Sequence, residues 1–130
     1  SYRRAMELLD RVGLVEAANK YPSEISGGMM KRTAIARALA LNPKYLFCDE
    51  PNSGLDPKTS MVIDQLIHEL TKEYNITTVV NTHDMNSVRS IGDKIIYLHH
   101  GLKEWEGSSA TLDSPDTPES VIHFINAGRL

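Results

Sequence analysis

The chain has 130 residues, 41% hydrophobic and 24% charged, ordinary usage for one globular domain. Seventeen acids against fourteen lysines and arginines leave a formal charge of -3, so there is no basic footprint for a nucleic-acid partner. The single cysteine, Cys48, excludes an internal disulfide, and no apolar run approaches the roughly 20 residues that a membrane-spanning helix needs.

Ala5, Leu8, Leu9 and Val12 recur at helical spacing, and Gly13 ends that segment. The chain enters this helix directly from Ser1, which reads as a segment of something longer. Val15 to Lys20 predicts a short helical turn, and Tyr21-Pro22-Ser23-Glu24 a break, because proline disfavours helix at the residue before it. From Gly27 to about Asn42 a second helix is expected, with Met30, Ala34, Ala38 and Leu41 along its apolar side and Ile35 and Leu39 adjoining; Pro43 stops it.

Tyr45-Leu46-Phe47-Cys48 is a continuous apolar run, as expected of a strand buried on both faces. Asp56-Pro57 opens a third helix, with Asp56 as N-cap and Val62, Ile63, Leu66, Ile67 and Leu70 as its core stripe. Ile76 to Val80 is a second strand, Met85 to Ile91 a short helix, Lys94 to Leu98 a third strand. Leu102 to Glu106 is a fourth, joined to the third by a turn at Gly101. A polar tail from Ser108 to Leu130 holds one more helix near Glu119 to Asn126. Strands alternating with helices predict an α/β fold with a parallel sheet.

Four short motifs carry chemistry, and each has a plain structural reading beside the functional one. Ser26-Gly27-Gly28-Met29 precedes a helix, where free N–H groups and close backbone approach suit an anion; the plain reading is a serine N-cap followed by loop glycines. Asp49 and Glu50 end an apolar strand, the place where open α/β sheets bind ligands. Asp49 suits a Mg²⁺ contact and Glu50 suits polarising a water; the plain reading is a solvated acidic turn. Ser53-Gly54-Leu55-Asp56 is a turn into a capped helix. His83, in Asn81-Thr82-His83-Asp84, could donate to a terminal phosphate or be a structural strand-end histidine.

In this order and spacing the four motifs resemble the ATPase subunits of ABC transporters over nearly the whole chain. Ser26-Gly27-Gly28 through Arg32, with Ala34 to Leu39, matches that family's signature helix, Asp49-Glu50-Pro51 its Walker B end, Ser53 to Pro57 its D-loop, and His83 its switch histidine. The resemblance implies an α/β fold comprising part of a P-loop NTPase (RecA-like) core and a signature-bearing helical subdomain, truncated on the N-terminal side. Residues 1–43 would be the helical signature segment, 44–107 the C-terminal part of the catalytic core, and 108–130 a helical tail.

It also implies ATP and Mg²⁺ as cofactors. Glu50 would be the general base and His83 would contact the γ-phosphate. Asp49 would help hold the metal. Ser26, Gly27, Gly28 and Met29 would meet the ATP of a second copy of the subunit, and Ser53, Gly54, Leu55 and Asp56 would run along that homodimer interface. Transmembrane permease subunits would be further partners, on the cytoplasmic face of the inner membrane.

The sequence departs from the family pattern at two points. Met29 stands where most relatives have glutamine, which makes the chain similar to the Mla-type lipid transporter ATPases that work with MCE-domain proteins; Tyr21 to Glu24 and the Phe124-containing tail helix look similar to that group too. A lipid-transport role is therefore expected, with an importer of amino acids or metals, or a soluble non-transport ABC ATPase, as the alternatives. Secondly, no G-x-x-x-x-G-K-[ST] segment occurs in the 130 residues. That loop cradles the ATP phosphates, so this stretch alone is not expected to turn over ATP.

Overall fold

The computed structural model describes residues 1–127. Its contacts divide the chain into two compact units, Ser1–Asn81 and the segment from Thr82 onward. The last three residues of the expected tail, 128–130, lie outside the described part.

The first unit begins with α1 (Tyr2–Arg11), whose first turn is capped by Ser1 Oγ accepting the Arg4 N–H. Gly13, at φ +74°, turns the chain out of α1, a conformation that a side chain would strain. Two single helical turns follow, Val15–Ala17 and Pro22–Glu24. The second is tied at its start, because the Glu24 carboxylate accepts the Tyr21 N–H at 2.7 Å.

Next comes α2 (Gly27–Leu39), capped by Ser26 Oγ, which accepts the Met29 N–H at 3.2 Å. This helix stops three residues short of the expected Asn42, where the chain enters a left-handed turn at φ +51°. The predicted apolar side is also corrected. Met30, Ala34, Ala38 and Leu41 are exposed, while Ile35, Ala36 and Leu39 face the core, because α1 and α3 pack on the neighbouring row of the helix surface.

Strand β1 (Tyr45–Asp49) pairs in parallel with β2 (Thr77–Asn81), and α3 (Pro57–Glu73) is the crossover between them. Asp56 caps α3 and Pro57 takes its first position, as the sequence predicts. Ile63, Ile67 and Leu70 of α3 are almost wholly buried, each burial stabilising by roughly 1.5–3 kcal/mol. Val62, expected in the same stripe, is exposed. The expectation that β1 is buried on both faces fails. Leu46 is buried and Cys48 half-buried, but Tyr45 and Phe47 are open, because α3 and its neighbours cover only one face of the two-stranded sheet.

The second unit holds α4 (Met85–Ile91), β3 (Ile95–His99), β4 (Leu102–Gly107) and α5 (Glu119–Asn126). The parallel expectation does not extend to β3 and β4, which form an antiparallel hairpin with an irregularity between Tyr97 and Leu98. Two residues, His100 and Gly101, link them, both at positive φ. Such a link fits a tight hairpin and is far too short for a parallel crossover. Leu112, Val121 and Ile125 make a small separate core, with Trp105, Tyr97 and Met85 packed around it.

Candidate nucleotide site

The acidic end of β1 is built by its partner strand. Parallel register sets Asp49 beside Asn81, and paired residues of parallel strands share a face of the sheet. Asn81 Nδ2 donates to Asp49 Oδ1 at 2.8 Å, and the Asn81 carbonyl accepts the Glu50 N–H at 2.8 Å. Glu50 then leaves the strand at φ +48°, an unusual conformation for a residue with a side chain. Its carbonyl accepts the Ser53 N–H at 3.1 Å. The glutamate is thus fixed by backbone bonds on both sides, in a left-handed conformation of the sort that clusters at functional sites.

The loop after Glu50 is anchored from below. Asn52 is buried, and its side-chain N–H donates to the buried Asp64 of α3 at 3.1 Å. Ser60 Oγ reaches the Asn52 carbonyl at 3.5 Å. Gly54 turns at φ +76°, and Asp56 then closes the loop as cap of α3, accepting the Thr59 N–H at 3.1 Å. The bonds from Thr59, its hydroxyl foremost, hold the Asp56 carboxyl below the ordinary carboxylate range.

The glycines at the start of α2 pack directly on this loop and helix. A Cβ on Gly27 would meet Leu55 at 3.4 Å, and one on Gly28 would meet Thr59 at 2.9 Å. Lys31 Nζ donates to Ser53 Oγ at 3.2 Å. Within the first unit, therefore, the segments Ser26–Met29, Asp49–Glu50 and Ser53–Asp56 form one connected arrangement. His83 belongs to the second unit, where Asp84 caps α4 by accepting the Asn86 N–H at 2.9 Å and donates its own N–H to Thr82 Oγ1 at 3.0 Å.

Met29 is half-buried and packs on the core of the first unit. It also lines a cavity of about 240 Å³ with Leu9, Leu14, Ile25 and Thr33. Cys48 sits under the sheet, and burial pushes its thiol pKa up, which keeps it a neutral apolar side chain. Among the described residues no group of three or more His, Cys, Asp or Glu side chains could hold a metal by itself.

Residues 1–53 match the family model described as ABC transporter. The chain is 46% identical over 108 residues to a methionine import ATP-binding protein of Pseudomonas fluorescens, covering 83% of this chain and 32% of that protein. It is 40% identical over 125 residues to a probable amino-acid ABC transporter ATP-binding protein of Sinorhizobium fredii, covering 96% of this chain and 49% of that one. Among solved structures, it resembles a dimeric ATP-binding cassette in a post-hydrolysis state with ADP and phosphate, at TM-score 0.70 and 45% identity over 82% of this chain and 46% of that one. It also resembles a putative metal-chelate type ABC transporter in an inward-facing conformation, at TM-score 0.83 and 28% identity over 97% of this chain and 49% of that one.

Over most of its length this chain is similar to the ATP-binding subunits of ABC transporters. It spans about half the length, or less, of the relatives it matches. The fold is that of an ABC ATPase cassette, a P-loop NTPase architecture, over the stretch in hand.

The lipid-transport expectation finds no support in these relatives, which are named as methionine import and amino-acid transporter ATP-binding proteins. Nor do they support an MCE-domain partner. The residue that suggested the lipid group, Met29, has a packing explanation in the core of the first unit. Sequence reasoning also missed two residues that support the candidate site, Asn81 and Asp64. Asn81 takes its place only through the β1–β2 register, and Asp64 is a charged residue on the buried face of α3, beside Ile63 and Ile67.

Proposed function

We propose that the protein carrying this chain is the ATP-hydrolysing subunit of an ABC importer for small polar solutes of the amino-acid class. The observation that carries the hydrolytic part is Glu50, held at φ +48° by backbone bonds on both sides at the C-terminal end of a parallel strand. The importer part rests on the methionine import relative, and the solute class on it together with the amino-acid transporter relative.

In this reading Glu50 accepts a proton from the attacking water as general base. Asp49 would help hold Mg²⁺. A lone carboxylate suits this ion, which is usually held by one or two carboxylates together with substrate phosphates rather than by an all-protein cage. Bound Mg²⁺ would neutralise charge on the phosphates.

Ser26, Gly27 and Gly28 offer N–H groups at the start of a 13-residue helix to the γ-phosphate of ATP held by a second copy. Met29 supports that helix start by packing, with its N–H already given to Ser26 Oγ. Leu55 lies against Gly27, and Ser53, Gly54, Leu55 and Asp56 would follow the interface between the two copies. His83 would donate to the γ-phosphate. Permease subunits would bring the protein to the cytoplasmic face of the membrane; no helix among the described residues is long and apolar enough to cross one.

The test is ATP turnover by the full-length gene product with its permease, against Glu50→Gln. A fall of about 10²–10⁴-fold is expected for loss of a general base; unchanged turnover would remove Glu50 from that role. Uptake of labelled methionine and other amino acids in a strain lacking the gene tests the substrate class. Uptake at the parental rate would sink it.

A further inference from the structure

We infer that Asn81 is a positioning residue for Asp49, the carboxylate that would hold the metal, and for Glu50. Its side-chain amide holds the Asp49 carboxylate, while its carbonyl anchors the backbone of Glu50. This inference rests on the nucleotide-site reading above. It starts from register: Tyr45↔Thr77 through Asp49↔Asn81 runs without a break, so the last residue of each strand faces the same side of the sheet.

The Asn81 side chain meets Asp49 at 2.8 Å and its main chain meets Glu50 at 2.8 Å. One residue is therefore bonded to both carboxylate-bearing residues of the site. The carboxylate can only accept, so the amide must present its N–H₂ to it. The choice of amide matters chemically. A lysine or arginine here would compete with a divalent cation for Asp49, and an aliphatic residue would leave the carboxylate to choose its own rotamer. A neutral donor orients the oxygen without cancelling its charge. Groups that hold a metal-ligating carboxylate by hydrogen bonds typically contribute 10–100-fold to metal affinity.

The experiment uses the full-length gene product and two substitutions, Asn81→Leu and Asn81→Thr. Mn²⁺ binding in the presence of ATP is read by electron paramagnetic resonance, ATP binding without metal is measured separately, and turnover is followed against Mg²⁺ concentration. The expected result for Asn81→Leu is about tenfold weaker Mn²⁺ binding and a similar rise in the Mg²⁺ concentration for half-maximal turnover, with metal-free ATP binding unchanged. Asn81→Thr, which restores a short donor, should recover part of the loss. Unchanged Mn²⁺ affinity in Asn81→Leu would overturn the inference alone. Equal loss of metal-free ATP binding would mark a general structural role and overturn it as well. A parent protein that binds neither Mn²⁺ nor ATP would instead remove the nucleotide-site reading, and the inference with it.

Discussion

Gly28 faces Thr59 so closely that a Cβ on the glycine would stand 2.9 Å from Thr59 Cγ2. The start of α2 and the first turn of α3 are therefore in contact through a glycine that has no room to grow. Gly28→Ala should destabilise by about 1–3 kcal/mol, the usual range for overpacking. Gly27→Ala, whose new methyl meets the flexible end of Leu55 at 3.4 Å, should cost less. Adding Thr59→Ser, which removes the offending methyl, should recover most of the Gly28→Ala loss. Chemical denaturation of the four variants in a double-mutant cycle checks this, and additive effects would mean that the contact is not the cause.

The buried bond from Asn52 to Asp64 ties the loop after Glu50 to α3. Removing the donor with Asn52→Ala should cost about 1–3 kcal/mol, because a polar pair away from water is expensive to break. The same change should raise amide hydrogen exchange in residues 50–56 above that in the rest of the unit. Uniform exchange would show that the loop is held by something else.

Glu50 can be replaced in two ways that both remove its carboxylate. At φ +48° a residue with a side chain bears roughly 1–2 kcal/mol of strain that glycine escapes. Glycine gives back about 0.5–1 kcal/mol through its freer unfolded chain. Glu50→Gly should therefore be more stable than Glu50→Ala by about 0.5–1 kcal/mol, with both inactive in the full-length protein. Equal denaturation midpoints would refute the strain at this position.

In the second unit Lys94 and then Lys103 bond the Glu106 carboxylate and bring its pKa from the ordinary 4.5 down to about 2. A depressed carboxylate stabilises the folded chain above the unfolded value and loses that contribution as the pH falls through the folded one. The loss from this group should thus run from about pH 4.5 to about pH 2. Carbon-detected NMR should show Glu106 titrating near 2 at low salt and moving upward in 1 M salt, since exposed ion pairs are screened. Titration near 4.5 at low salt would mean that the lysines do not hold it.

Local chemistry was legible in the sequence and long-range packing was not. The Ser26 and Asp56 caps could be read because a cap is written within four residues of chain. The two-residue hairpin at His100-Gly101 was readable as a turn, though not as the reason for an antiparallel pair. Burial was harder. Met30-Ala34-Ala38-Leu41 and Ile35-Leu39 are adjacent rows of one helix, and only the position of α1 and α3 decides which row is covered. Tyr45 to Cys48 reads as a two-faced strand because all four residues are apolar, yet only alternate ones are covered. Asp49 and Glu50 stood out as carboxylates at a strand end. Their support from Asn81 arises between residues 32 positions apart, which no local pattern records.

The open face of the β1–β2 sheet runs into the candidate site. Tyr45, Phe47 and Val79 lie bare along it, and the same row ends at Asp49 and Asn81. Whatever polypeptide shelters those aromatic and aliphatic side chains also borders the acidic end of the strand. Shelter and site share one boundary, so anything that binds the bare row comes to rest beside the Asp49 and Glu50 carboxylates.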